Sequence, residues 1–134
     1  MIKKIGHVGV VVRDLDETLE LYKKLYCLSP AVVKDAMDGR VRVAFMPVGD
    51  DEIELLQPVD PKIHLGEFLR KQGQGIHHIS LTTDNLDYEI ERMKEAGAGF
   101  TDDKPTVGAH GVRIIFTRPQ TTGGVTVELC GTQD

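Results

Sequence analysis

From Ile5 to Val12 the apolar, mostly β-branched positions recur with a period of two, which predicts a strand buried on at least one face. Arg13 to Asp16 interrupts that pattern. Leu15, Leu19, Tyr22, Leu25 and Tyr26 then follow at helical spacing, with Glu17, Glu20, Lys23 and Lys24 on the opposite side. Asp14 or Asp16 is placed to cap this helix, and its stripe, both tyrosines included, is expected to pack on a sheet as core. Residues 31–36, 40–47 and 52–57 predict three more strands, separated by turns at Asp38-Gly39 and Gly49 to Asp51.

The βαβββ order then recurs. A strand is expected at 76–83, a helix at 85–96, a weak strand near Phe100, and strands at 113–117 and 125–129 around a turn at 122–124. Laying His78 over His7 gives an offset of 71 that also puts Asp87 over Asp16, Phe116 over Phe45 and Glu128 over Gln57, with no gap required. A short helix at 63–71, with Pro58 and Pro61 before it and Gly73 and Gly75 after it, joins the halves. The expected organisation is one α+β domain over 1–134: a first βαβββ module at 1–57, a linker helix within 58–74 and a second module at 75–134.

Composition narrows the function classes. With 134 residues, 40% of them hydrophobic, the chain is long enough to bury a core, and a net charge of −5 without a basic stripe argues against nucleic acid. The absence of an apolar run of spanning length argues against a membrane and sets the cytoplasm as the expected location. Cys27 and Cys130 belong to no Cys-x-x-Cys pair and are expected as buried free thiols.

Strand alternation places His78, Ser80 and Thr82 on one face, and His77, Ile79 and Leu81 on the other. His7 likewise separates from Val8, Val10 and Val12, and Glu128 from Val127 and Leu129. In 52–57 the repeat selects Gln57, leaving Glu54 on the helix side with Leu56. If two four-stranded sheets pair as a cup, His7, Gln57, His78 and Glu128 converge. Two imidazoles, a carboxylate and an amide suit Zn²⁺, Co²⁺, Mn²⁺, Ni²⁺ or Fe²⁺ better than Ca²⁺ and leave two octahedral positions for a substrate. His64, His77 and His110, taken singly, read as structural or surface histidines.

These residues, together with Val48 to Pro58, Gly73 to Ile79, Pro105 to Gly111 and Gly123 to Leu129, resemble the vicinal oxygen chelate superfamily over nearly the full length. Within it they are most similar to the methylmalonyl-CoA epimerases. The resemblance implies paired βαβββ modules forming a cupped mixed sheet around a divalent metal, and exchange of the R and S forms of methylmalonyl-CoA through an enolate. Some of these epimerases use a glutamate as an acid/base where this chain has Val43. Glu128 and His110, the latter in the 107–111 loop, are the remaining candidates for proton transfer. Arg42, Lys104, Arg113 and Arg118 are available for the CoA phosphates. Glyoxalase I usually carries a carboxylate where Gln57 stands. The alternatives are a glyoxalase I-like lyase acting on a thiol hemithioacetal and a metal-free small-molecule binding module. A homodimer is expected.

Overall fold

The alternating and helical patterns resolve, in a computed structural model that describes residues 1–132, into twelve elements. They run β1 (Ile2–Val11), α1 (Leu15–Tyr26), β2 (Val32–Ala36), β3 (Val41–Val48), β4 (Asp51–Pro58), α2 (His64–Gln72), β5 (Gly75–Thr83), α3 (Leu86–Glu95), β6 (Thr106–Val107), β7 (Arg113–Phe116), a 3-10 turn (Pro119–Thr121) and β8 (Val127–Cys130). The last two residues of the expected second module, Gln133 and Asp134, lie outside the described residues. The chain forms two compact units, His7–His77 and Met1–Gly6 with His78 onward, so it passes from one to the other inside β1 and again inside β5.

In the His7–His77 unit the strand order is β2-β3-β4-β1. β4 runs parallel to β1, with Val8 opposite Ile53 and Gly9 opposite Glu54, and antiparallel to β3, with Phe45 opposite Glu54. Helix α1 covers one face. Asp14 caps it by accepting from the Glu17 N–H at 3.0 Å, and Asp16 and Glu17 at its start and Lys23 and Lys24 at its end complement its dipole. Leu15 packs there with Val12, Ala44, Met46 and Leu55, and Val10, Leu19, Tyr22 and Ile53 flank this cluster. Each fully buried Leu or Met contributes about 1.5–3 kcal/mol. The opposite face is also buried, through Val11, Val41, Val43 and Leu56.

In the other unit the order is β5-β8-β7-β6, with β8 parallel to β5 and antiparallel to β7. Helix α3, capped by Asn85 on the Tyr88 N–H at 3.1 Å, packs Leu86 and Ile90 on Phe100, Ile115 and Leu129. Gly6 enters this unit beside β5, where a Cβ would come within 2.9 Å of Thr82 Oγ1 and 3.4 Å of Ser80 Oγ.

Three expectations change, and His77 packs as a structural histidine, as expected. The core stripe of α1 stops at Tyr22; Tyr26 stacks edge-on against the Tyr22 ring at 5.2 Å and, like Leu25, remains exposed. Cys27 is exposed because it ends α1 in the left-handed region (φ 57°), whereas Cys130 is buried. Phe100 makes only an isolated bridge to Thr117, and the short strand falls at Thr106–Val107 instead. His77 packs edge-on against Phe68 of α2 at 4.9 Å, with His64 nearby. Burial and the His64 charge push its imidazole down to about 4.

Gly66 is the tightest joint in the α2 region: a Cβ there would meet Asp60 O at 2.6 Å and Pro61 Cα at 2.8 Å, both backbone atoms. Gly66→Ala is expected to destabilise the protein by about 1–3 kcal/mol, read as a lower urea midpoint with an unchanged slope.

Candidate metal centre

Among the described residues four ionisable side chains are buried on strands, two in each unit. In the His7–His77 unit, His7 of β1 and Glu54 of β4 are each 5% exposed, with Nε2 of the one 3.2 Å from Oε2 of the other. Glu52, one turn of the pleat earlier on β4, is half-buried, and its carboxylate, the Glu54 carboxylate and a His7 nitrogen lie within 4.8 Å of one another. In the other unit, His78 of β5 is 3.8 Å (Nε2 to Oε2) from Glu128 of β8, and the Ser80 hydroxyl donates to Glu128 Oε1 at 2.9 Å. The Phe116 ring meets the His78 imidazole edge-on at 5.0 Å and fixes its plane. Burial pushes the Glu128 carboxyl up to about 7, and the Ser80 hydroxyl draws it part of the way back.

The registers show which residues are equivalent. Phe45 faces Glu54 and Phe116 faces Glu128; Gly9 pairs with Glu54 and Ser80 pairs with Glu128. The offset is 71 for β1/β5 and β3/β7 but 74 for β4/β8, because paired residues are twelve positions apart across β7–β8 (Phe116 and Glu128), where the 3-10 turn lies, and nine apart across β3–β4 (Phe45 and Glu54). Glu54 is therefore the counterpart of Glu128, and the ungapped alignment that selected Gln57 breaks down here. Gln57 lies on the α1 side of β4, where its Oε1 accepts from the Leu15 N–H at 2.7 Å. It caps a helix and does not stand beside His7. Its counterpart is Gly131.

The remaining candidates separate in the same way. His110 sits half-buried in a hairpin tip between β6 and β7, closed by Gly108 N to Val112 O (2.8 Å) and Gly111 N to Gly108 O (3.0 Å). Arg113 forms a two-pronged pair with Asp87 at 3.0 and 3.1 Å, and Arg42 contacts Asp16 at 3.5 Å in the equivalent place, so both brace a strand against a helix. Arg118 donates through Nε to Phe100 O at 2.8 Å. Lys104 is exposed.

Known proteins share this architecture. The family model of the Glyoxalase/Bleomycin resistance protein/Dioxygenase superfamily matches residues 6–116. The chain belongs to that superfamily. The ethylmalonyl-CoA/methylmalonyl-CoA epimerase of Cereibacter sphaeroides is 33% identical over 131 residues, covering 96% of this chain and 98% of that protein. The mitochondrial methylmalonyl-CoA epimerase of Dictyostelium discoideum is 31% identical, over 96% and 78%. A structure of a Streptomyces coelicolor methylmalonyl-CoA epimerase variant in complex with 2-nitronate-propionyl-CoA matches with a TM-score of 0.92 over the whole of both chains, at 28% identity. The α+β fold of two βαβββ modules is thus that of this glyoxalase superfamily.

Within a superfamily member, the donor chemistry of the two pairs fits a divalent cation. Each pair offers one imidazole and one carboxylate, desolvated and held on strands, and a cation would balance the buried negative charge.

Gln57→Ala is expected to cost about 1 kcal/mol of stability through loss of the Leu15 cap, measured by urea unfolding, while cation binding is retained. For Glu128, the native carboxyl titrates near 7 and the unfolded one near 4.5. The fold therefore holds the proton more tightly, and the stabilisation, full below 4.5, is lost as pH rises through about 7. In metal-free protein, the stability of the wild type relative to Glu128→Gln should fall by up to roughly 3 kcal/mol between pH 4.5 and 8. A difference that stays flat across this range would contradict the burial of this carboxyl.

Proposed function

We propose that the protein is a methylmalonyl-CoA epimerase that exchanges the R and S configurations at C2 with the help of a divalent cation held by His7, Glu54, His78 and Glu128. The observation that carries this reading is the duplicated His–Glu pair, buried at equivalent register positions of β1/β4 and β5/β8. Similarity to epimerases along nearly the whole chain supports the substrate. An ion held by these residues would supply the positive charge that favours loss of the C2 proton. Co²⁺, Mn²⁺, Zn²⁺ and Ni²⁺ all suit two imidazoles and two carboxylates.

The side chains of this protein have separate tasks in that reading. His7 and His78 hold the ion as neutral donors, and Phe116 keeps the His78 ring in one orientation. Ser80 fixes one oxygen of Glu128 and leaves the other to face His78. Val43 is fully buried and Ile114 is its repeat equivalent, so neither strand position carries a proton. Proton removal and return at C2 are assigned to Glu128 and His110. Free thiols at Cys27 and Cys130 suit the cytoplasm, and the exposed apolar residues Leu21, Leu25, Val32 and Val33 suit a homodimer contact.

The test is proton NMR of methylmalonyl-CoA in D₂O with metal-stripped protein, before and after adding Co²⁺ or Mn²⁺. Metal-dependent washout of the C2 proton with interconversion of the epimers is the expected result. For the glyoxalase I-like alternative, a thiol hemithioacetal serves as the counter-substrate. Turnover of the hemithioacetal without exchange at C2 would replace the epimerase assignment with that lyase.

A further inference from the structure

On β2 and β3, the face that carries the His7–Glu54 pair presents Val32, Ala36, Val41, Val43 and Phe45, with Lys34 as the charged residue among them. In the antiparallel β2–β3 ladder Lys34 stands opposite Val43, and across β3–β4 Phe45 stands opposite Glu54. Directly opposed residues share a face, as do residues two apart on one strand, which puts Lys34 on the same side as Glu54. The lysine side chain turns inward along that face. Its Nζ lies over the Phe45 ring, 5.5 Å from the centroid, and Phe45 is only 8% exposed.

The ring fixes where the positive charge sits, while the ammonium keeps N–H donors for oxygen acceptors. Lys34 is exposed, and among the described residues no carboxylate pairs with it. Val43 brings no charge on the next strand, so Lys34 supplies the positive potential on this part of the face. We infer that Lys34 anchors an anionic oxygen group of the acyl-CoA, either the malonyl carboxylate or a CoA phosphate, on the face of the His7–Glu54 pair. β2 lies two strands from β4, about 10 Å in backbone spacing, a separation that an extended thioester spans. The inference rests on the acyl-CoA reading of that face. It assigns Lys34 to substrate affinity and not to proton transfer, since an anchored group is held alike in the ground state and in the transition state.

The experiment measures calorimetric binding of methylmalonyl-CoA, propionyl-CoA and methylmalonyl-pantetheine to Co²⁺-supplied wild type, Lys34→Met and Lys34→Arg, alongside KM and kcat for epimerisation. Lys34→Met should bind methylmalonyl-CoA about tenfold more weakly and raise KM by the same factor, with kcat unchanged. Lys34→Arg should restore most of the affinity. A loss that persists with methylmalonyl-pantetheine, which has no phosphate, assigns the contact to the carboxylate; one that persists with propionyl-CoA, which has no free carboxylate, assigns it to a phosphate. Equal affinity of wild type and Lys34→Met for methylmalonyl-CoA would overturn the inference. If sedimentation changes in Lys34→Met while affinity does not, Lys34 guards the β2 edge against other chains, and the inference fails in that case too. Weakened binding by Lys34→Met together with no epimerisation by the wild type would remove the epimerase assignment and leave Lys34 standing. No binding of any of the three thioesters by the wild type would overturn both.

Discussion

The constraint on which the structure depends is the burial of ionisable side chains in the middle of strands. A carboxylate taken out of water must find a partner or give up its charge, and an imidazole beside it supplies only a conditional one. His7, Glu54, His78 and Glu128 are all at most 5% exposed. They sit on β1, β4, β5 and β8, whose parallel ladders fix the backbone at each point of attachment. Around the first pair the face is lined by Val11, Val43 and Leu56, which lower the local dielectric and raise the cost of any unmatched charge. Burial pushes the Glu128 carboxyl up to about 7 for the same reason. Donors on rigid strands, with water excluded, are what a cation site requires. In structural terms the surrounding fold is scaffolding for two such pairs.

The two modules meet that constraint with different residues. Both keep the Arg–Asp brace between a strand and a helix, Arg42 with Asp16 and Arg113 with Asp87. Both keep an aromatic residue opposite the carboxylate, Phe45 and Phe116. Beyond that they diverge. The hydroxyl that steadies Glu128 comes from Ser80, whose counterpart is Gly9, and the side-chain cap that Gln57 gives α1 has only Gly131 in its place at α3. Polar support has been lost on one side of each sheet position and gained on the other, so the modules are equivalent in backbone and not in electrostatics. The half containing His7 has the surplus carboxylate, and the half containing His78 has the one that a serine hydroxyl steadies.

The sequence made the βαβββ repeat, both helix starts and three of the four buried strand side chains, His7, His78 and Glu128, legible, because strand alternation and capping residues are local signals. Gln57 was misread for two physical reasons. A constant offset cannot register three extra residues between paired strand positions, and the β7–β8 segment with its 3-10 turn has them. Alternation also failed as a guide on β4, since Ile53 and Leu55 face α1 while Leu56 is equally buried on the other face. With apolar residues on both sides, parity does not say which side bears the helix. A glutamine before Pro58 looked like a ligand and acts as a cap. The exposure of Tyr26 and Cys27 has a similar origin: helical spacing predicts a stripe, but not how far along the helix the sheet extends beneath it.

Val43 clarifies where proton traffic belongs. It is 1% exposed in the middle of β3, paired with Leu56 on one side and Lys34 on the other. A carboxyl there would be a further charge on a face that already holds a buried carboxylate, and each change of its protonation would carry the full desolvation cost. An apolar residue avoids that and packs the strand. Of the two groups assigned to proton transfer, the buried Glu128 bears that desolvation cost, whereas a group nearer the rim changes charge beside water at a lower cost. His110, half-buried in a closed hairpin, is such a group. In the proposed reading the interior of the sheet holds the ion and Glu128, and His110 is the acid/base nearer its edge.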